Sequence, residues 1–239
     1  MDNVYNSLVF LHAVCGLVAL IAFWMAAFAK KGSPLHVRVG KIYLLSMLGI
    51  VITALPMAAI IASRGKPGIA TFLAYLVVIT VSSMWVGRQA IRSKRDQTAF
   101  RSRGYALVAV LNLVASAATF IVGLQMSEVL LMGFSIVGFH NGTSMLIRRS
   151  RPLAMTRWWM KEHIAAMLGC GVATHIAFLA IGMGRVIDML GIKPPGWYGL
   201  IAWFGPLVVA LVSGIWLTRK YVPKMQSGAA VMQRGGAAG

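Results

Sequence analysis

An uncharged run of 22 residues, from position 8 to position 29, constrains this chain more than any other feature. As an α-helix it is about 33 Å long, which is enough to cross the hydrocarbon core of a bilayer. A basic segment with a Gly-Ser-Pro turn follows at residues 30–34, and a second apolar run comes after it. Basic residues after an apolar run hold that end of a helix at the membrane surface. The segment therefore predicts two membrane-spanning helices joined by a short turn.

The composition extends this prediction to the whole chain, because 59% of its residues are hydrophobic and only 12% are charged. A soluble domain has about twice that charged fraction. We therefore expect an all-α bundle of seven transmembrane helices in residues 1–222, embedded in a lipid bilayer, and a disordered tail at 223–239. The predicted spans are 6–29, 39–62, 68–90, 104–126, 128–147, 161–184 and 198–218.

The net charge of +18 is distributed unevenly between the connections. A soluble protein with this charge would be a candidate for nucleic-acid binding, but here the basic residues lie between apolar spans, so no nucleic acid is expected. The connections on one side of the predicted bundle carry 19 lysines and arginines, and those on the other side carry 4. The positive-inside rule then predicts an outside N-terminus and a cytoplasmic C-terminus in a bacterial inner membrane.

Acidic residues are scarce, and all of them fall at predicted span ends or in loops: Asp2, Asp96, Glu128, Glu162 and Asp188. An ion-coupled transporter usually keeps a carboxylate within the membrane, and this pattern predicts none. Zinc-binding spacings and phosphate-binding glycine loops are also missing from the sequence. Whether the chain is an enzyme stays open at this point.

The histidines are the residues that suggest a cofactor. At 1.5 Å per residue, His12 in the first span and His175 in the sixth are expected at a similar depth in the outer half of the membrane. Two neutral imidazoles from different helices are the ligands of a b-type haem. We therefore predict that His12 and His175 bind haem b and that the first and sixth spans are neighbours.

A second set of histidines is predicted in the cytoplasmic half. His140 lies inside the fifth span, and His36 and His163 lie at the inner ends of the second and sixth spans. A second haem between His140 and either of the other two would complete an electron path across the membrane. We expect His36 to matter less than His12, because water can reach an interfacial imidazole.

The alternative hypothesis is that the histidines only pack, since an intramembrane imidazole can hydrogen-bond a neighbouring helix. The chain would then be a non-catalytic accessory subunit or a small-molecule carrier. Under the haem hypothesis, its partners would be other membrane subunits or a quinone. The haem Soret band distinguishes the two hypotheses.

The opening of the second span resembles a bacterial family of membrane proteins of unknown function. Members have an early histidine in the first span and a Gly-x-x-His-x-x-x-Gly-x-x-Tyr segment at the start of the second. Gly32, His36, Gly40 and Tyr43 fit this segment approximately, while Arg38 stands one place after the family's arginine. The family implies no activity. A looser similarity to b-type membrane cytochromes implies haem ligation.

Overall fold

The computed structural model describes residues 2–151 and 155–222, and the regular structure within these ranges is entirely helical. A π-helical segment lies at Ala177–Gly182. The helices are α1 (Asp2–Phe28), α2 (Pro34–Ser63), α3 (Pro67–Arg92), α4 (Gln97–Phe100), α5 (Arg103–Met126), α6 (Val129–Ser150), α7 (Trp158–Ile176), α8 (Met183–Met189) and α9 (Tyr198–Tyr221).

Seven helical stretches in the described ranges are long and apolar enough to cross a membrane. Five of them are single helices, the fourth combines α4 with α5, and the sixth combines α7, the π-helical segment and α8. The predicted all-α class and the predicted number of spans are confirmed, and the chain is a multi-pass membrane protein. The predicted tail at 223–239 lies outside the described residues.

The turn between α1 and α2 follows from its sequence. Gly32 adopts a positive φ of 80°, which a residue without a Cβ does readily. The Ser33 hydroxyl accepts a hydrogen bond from the backbone N–H of His36 at 3.2 Å, and Pro34 occupies the first helical position. A serine N-cap followed by proline is a favourable helix start. This cap fixes where His36 stands in the first turn of α2.

The fourth and fifth spans, which the sequence leaves open as a tight hairpin or one bent unit, are the separate helices α5 and α6. Ser127 adopts a left-handed conformation with φ 55°, and the next N–H, that of Glu128, donates to the carbonyl of Gly123 at 2.8 Å. This pattern is a Schellman helix end, which reverses the chain in very few residues. Gly123 has no side chain to separate the helices, so α6 packs directly against it.

The sixth span is longer than predicted. The predicted sixth span ends at residue 184, but α8 continues the helix through Arg185 to Met189. The helix ends where Gly191 adopts φ 65°, ahead of Pro194. No residue before Gly191 breaks the helix, so the helix continues through the two charged residues Arg185 and Asp188.

The helices pack around α3 and α7, which contact each other along the centre of the bundle. On one side α1 and α2 form a hairpin, with α2 against α3 and α1 against α7, so that these four helices enclose a common interior. On the other side the α5–α6 hairpin packs on α3, and α9 packs on α7. Residues on α7 therefore face two interiors.

The exposure of side chains suits a lipid environment. Large apolar side chains such as Leu45 and Val129 are 70% and 76% exposed, whereas Asn112 and Ser116 are fully buried. A soluble fold places these residue types the other way round. Within the bundle, buried hydroxyls donate to carbonyls of their own helix, as Ser116 does to Asn112. Buried polar groups of this kind are typical of helix packing in membranes.

Candidate functional site

Two histidines meet where the α1–α2 turn, the end of α3 and the start of α7 come together, which we call the basic end of the bundle. The ring centres of His36 and His163 are 6.5 Å apart, with 76° between the ring planes. Two imidazoles that bind one metal from opposite sides, with bonds of about 2 Å, place their ring centres about 6 Å apart. The pair thus has the separation that bis-histidine ligation needs.

A backbone carbonyl fixes the tautomer of each ring in this pair. The Nδ1 of His36 lies 3.0 Å from the carbonyl oxygen of Ala26, and the Nδ1 of His163 lies 3.0 Å from that of Gly87. A carbonyl only accepts, so each Nδ1 carries the hydrogen and donates it. In a neutral ring this leaves Nε2 with its lone pair, which is the usual state of a metal-binding histidine.

The surroundings of the pair offer room and positive charge. Gly40 lies one turn after His36 on α2, and a Cβ added there would meet nothing within 4 Å. Lys31, in the α1–α2 turn, donates to the carbonyls of Ala26 and Ala27 at 2.9 and 2.6 Å. Burial, and secondarily the charge of Lys220, lowers the pKa of Lys31. A carboxylate at this place would favour the charged form of Lys31 and so oppose both effects.

His12 lies elsewhere, between α1 and α2. Its Nδ1 is 2.9 Å from the hydroxyl oxygen of Thr53. That hydroxyl has the carbonyls of Gly49 and Ile50 at 2.8 and 2.9 Å, so it donates to a carbonyl and accepts from His12. The contact joins two neighbouring helices, as an intramembrane histidine without a cofactor often does.

His175 contacts a different level of α1. Its Nδ1 donates to the carbonyl of Gly171 at 2.7 Å, and its ring packs against those of Phe23 and Trp24, with centres 5.2 and 5.5 Å away. Its Nε2 is buried with no hydrogen-bond partner. Phe23 is eleven residues beyond His12, or about 17 Å along the helix. The first and sixth spans are neighbours, but these contacts do not bring His12 and His175 together.

His140 is exposed and lines a polar cavity of about 180 Å³ between α3, α5, α6 and α7. Among the residues that the structure describes, none of the other four histidines lines this cavity. His140 is thus not placed with His36 or His163. Both pairings with His140 are open in the sequence, and the contact that the structure contains is the one between His36 and His163.

Glu162 and Arg148 form an ion pair with a buried carboxylate, which the sequence did not predict. Glu162 is 2% exposed, and Arg148 donates to its two carboxylate oxygens at 2.8 and 3.1 Å. The position of Glu162 near the start of the span agrees with the prediction, but the sequence did not indicate that its carboxylate is buried inside the bundle. Glu162 lies in the second turn of α7, so it looks like a span-end residue in the sequence, but the α5–α6 hairpin covers it. The sequence feature that could have indicated this pair is Arg148, a basic residue in the last turn of α6.

Within residues 2–151 and 155–222, no group of three or more His, Cys, Asp or Glu side chains is arranged to hold a metal ion. A site built from two histidines and a cofactor is consistent with this finding. Comparison of the chain with protein-family models, with curated proteins and with solved structures finds no significant match.

Proposed function

We propose that this membrane protein binds a b-type haem between His36 and His163 and transfers electrons. The observation that carries the proposal is the 6.5 Å separation of the two rings, which come from helices on opposite sides of the four-helix interior. A haem held in this way supplies reversible one-electron chemistry at its iron.

The tautomers of the two rings support the proposal. Each Nδ1–H is held by a backbone carbonyl, which orients the ring and makes Nε2 more basic. Ala26 and Gly87 belong to α1 and α3, so all four helices around this interior contribute either a ligand or its support. Orientation by backbone leaves little freedom to the rings, and pre-organised ligands bind a metal more tightly.

Gly40 and Lys31 suit two other parts of a haem, its flat macrocycle and its anionic propionates. The open space at Gly40 lets a flat macrocycle approach the backbone of α2. The propionates of a haem are anionic, and Lys31 stands beside the histidines at the basic end. In the described part of the chain, neither Lys31 nor Lys220 forms an ion pair with a carboxylate. Propionates would supply the missing negative charge.

We place this site in the cytoplasmic half of a bacterial inner membrane, with the N-terminus outside. The support is the excess of lysine and arginine on the connections at the basic end. Electrons would then be exchanged near the cytoplasmic surface, where redox partners such as other membrane subunits can dock.

The experiment is an absorbance measurement on protein purified from haem-replete cells. Wild type should show a Soret band and a low-spin bis-histidine spectrum by electron paramagnetic resonance. His36→Ala and His163→Ala should each lose most of the haem. His140→Ala, which changes an exposed histidine in the same half of the bundle, should retain it.

Two results would contradict the proposal. Haem-free wild-type protein from haem-replete cells would exclude haem binding altogether. Full haem content in His36→Ala, together with loss of haem in His12→Ala or His175→Ala, would assign the haem to His12 and His175, the pair predicted from the sequence.

The carrier hypothesis also has an observation in its favour, which is the polar cavity beside Glu162 and Arg148. A carrier needs a polar chamber within its bundle. This cavity lies between the α5–α6 hairpin on one side and the helices α3 and α7 on the other. A protein that lacks haem but binds a small molecule there would belong to that class.

A further inference from the structure

A polar cavity and an apolar cavity adjoin each other on the side of α3 and α7 that faces away from the histidine pair. The polar cavity has a volume of about 180 Å³ and the apolar one about 100 Å³. Ser83, Asn141 and Gly169 line both cavities. The two spaces therefore form one amphipathic site, polar towards Glu162 and apolar towards Trp203.

One of the residues that line the polar cavity has an unpartnered acceptor. Asn112 is fully buried, and its Oδ1 has no hydrogen-bond partner. Its Nδ2 donates to the Val108 carbonyl at 2.8 Å and to the Ser82 hydroxyl at 2.7 Å. Ser82 in turn donates to the carbonyl of Val78 at 2.7 Å. Because carbonyls only accept, this chain of bonds fixes which atom of the Asn112 amide is the oxygen.

An amide oxygen that is buried without a donor loses the hydrogen bond that water would give it. A ligand that donates a hydrogen bond to Asn112 would restore it. The charged groups of the cavity, Arg148 and Glu162, neutralise each other, so a neutral head group suits the cavity better than an ionic one. The adjoining apolar cavity, with Phe134 and Trp203 in its wall, suits a hydrocarbon tail.

We propose that this amphipathic site binds a quinol, a neutral molecule with a hydroxylated ring and an apolar tail. The hydroxyl donates to Oδ1 of Asn112 in the polar cavity, and the tail occupies the apolar cavity beside Trp203. The quinone form has only acceptors on its ring, so it cannot make this hydrogen bond. Neither His36 nor His163 lines the site, so the proposal holds whether or not haem is bound.

The test is the binding of decylubiquinol to wild type and to Asn112→Leu in lipid nanodiscs, measured from the concentration dependence of the Tm. Leucine has a similar volume but no acceptor. We expect about tenfold weaker quinol binding in Asn112→Leu, since one hydrogen bond contributes on that order. Decylubiquinone should bind the wild type about tenfold less tightly than the quinol does, and should not distinguish the two proteins.

Thr119→Ala is the matched control, because Thr119 is also buried on α5 but lines neither cavity. It should bind the quinol like the wild type. If Asn112→Leu does not fold, Ser83→Leu fills the junction between the cavities and should abolish quinol binding. Equal quinol affinity in wild type and the folded variant, or no saturable binding, would overturn the proposal. Tighter, Asn112-dependent binding of dioleoylglycerol would overturn it too, by assigning the site to a lipid alcohol.

Discussion

Arg148 of α6 donates from one guanidinium nitrogen to both carboxylate oxygens of Glu162 on α7, at 2.8 and 3.1 Å. The two partners differ in exposure, since the Arg148 side chain is 32% exposed and the Glu162 side chain only 3%. The pair therefore ties the α5–α6 hairpin to the central helix through one buried charge and one that reaches the surface.

This difference predicts unequal costs for the two single variants. Arg148→Met leaves a buried carboxylate unpaired and should lower the free energy of unfolding by about 3 kcal/mol. Glu162→Gln leaves an arginine that reaches water and should cost only about 1 kcal/mol. Unfolding in detergent micelles measures both values. The double variant Arg148→Met/Glu162→Leu should recover most of the loss, and equal costs for the single variants would contradict the burial of Glu162.

The α5–α6 interface depends on glycines of α6. A Cβ at Gly142 would lie 2.7 Å from the carbonyl oxygen of Ala109, whereas one at Gly133 would meet nothing within 4 Å. Gly142→Ala should therefore lower the free energy of unfolding by about 1–3 kcal/mol through overpacking. Gly133→Ala on the same helix is the control, and it should be neutral or slightly stabilising because alanine favours helix. Identical effects of the two substitutions would mean that the hairpin packs differently.

Under the haem proposal, His36→Met should retain haem and raise its reduction potential, because histidine–methionine ligation favours the reduced iron. A redox titration followed in the visible spectrum measures this change. His12→Met is the matched control and should leave the potential unchanged, since the contacts of His12 are with Thr53. A potential that responds to His12→Met and not to His36→Met would assign the iron to the other site.

The orientation of the chain is tested by labelling intact cells with an impermeant thiol reagent. The charge distribution predicts an exterior Lys193 and a cytoplasmic Arg151. In a background with Cys15 and Cys170 replaced by alanine, Lys193→Cys should react and Arg151→Cys should react only after lysis. The opposite pattern would reverse the orientation and would move the histidine pair to the outer half of the membrane.

The sequence by itself determined the fold class, the number of spans and the first turn. These features are local: an uncharged run long enough to cross a bilayer has to be a helix, because its backbone groups have no other partners there. The Ser33 cap and Pro34 fix the start of α2 for the same local reason. Whether the fourth and fifth spans are one bent helix or two helices stayed open in the sequence, because the break at Ser127 depends on very few residues.

Only the tertiary structure decided which histidines meet. Depth along a straight helix placed His12 and His175 together, but that estimate assumes untilted helices that begin at the membrane surfaces. In the structure His175 packs on Phe23, which lies about 17 Å along α1 from His12. Packing also buried Glu162, beside His163 on the same turn, because neighbouring residues on α7 face two different interiors. Pairings of this kind depend on helix stagger and rotation, which the hydropathy of a single span does not encode.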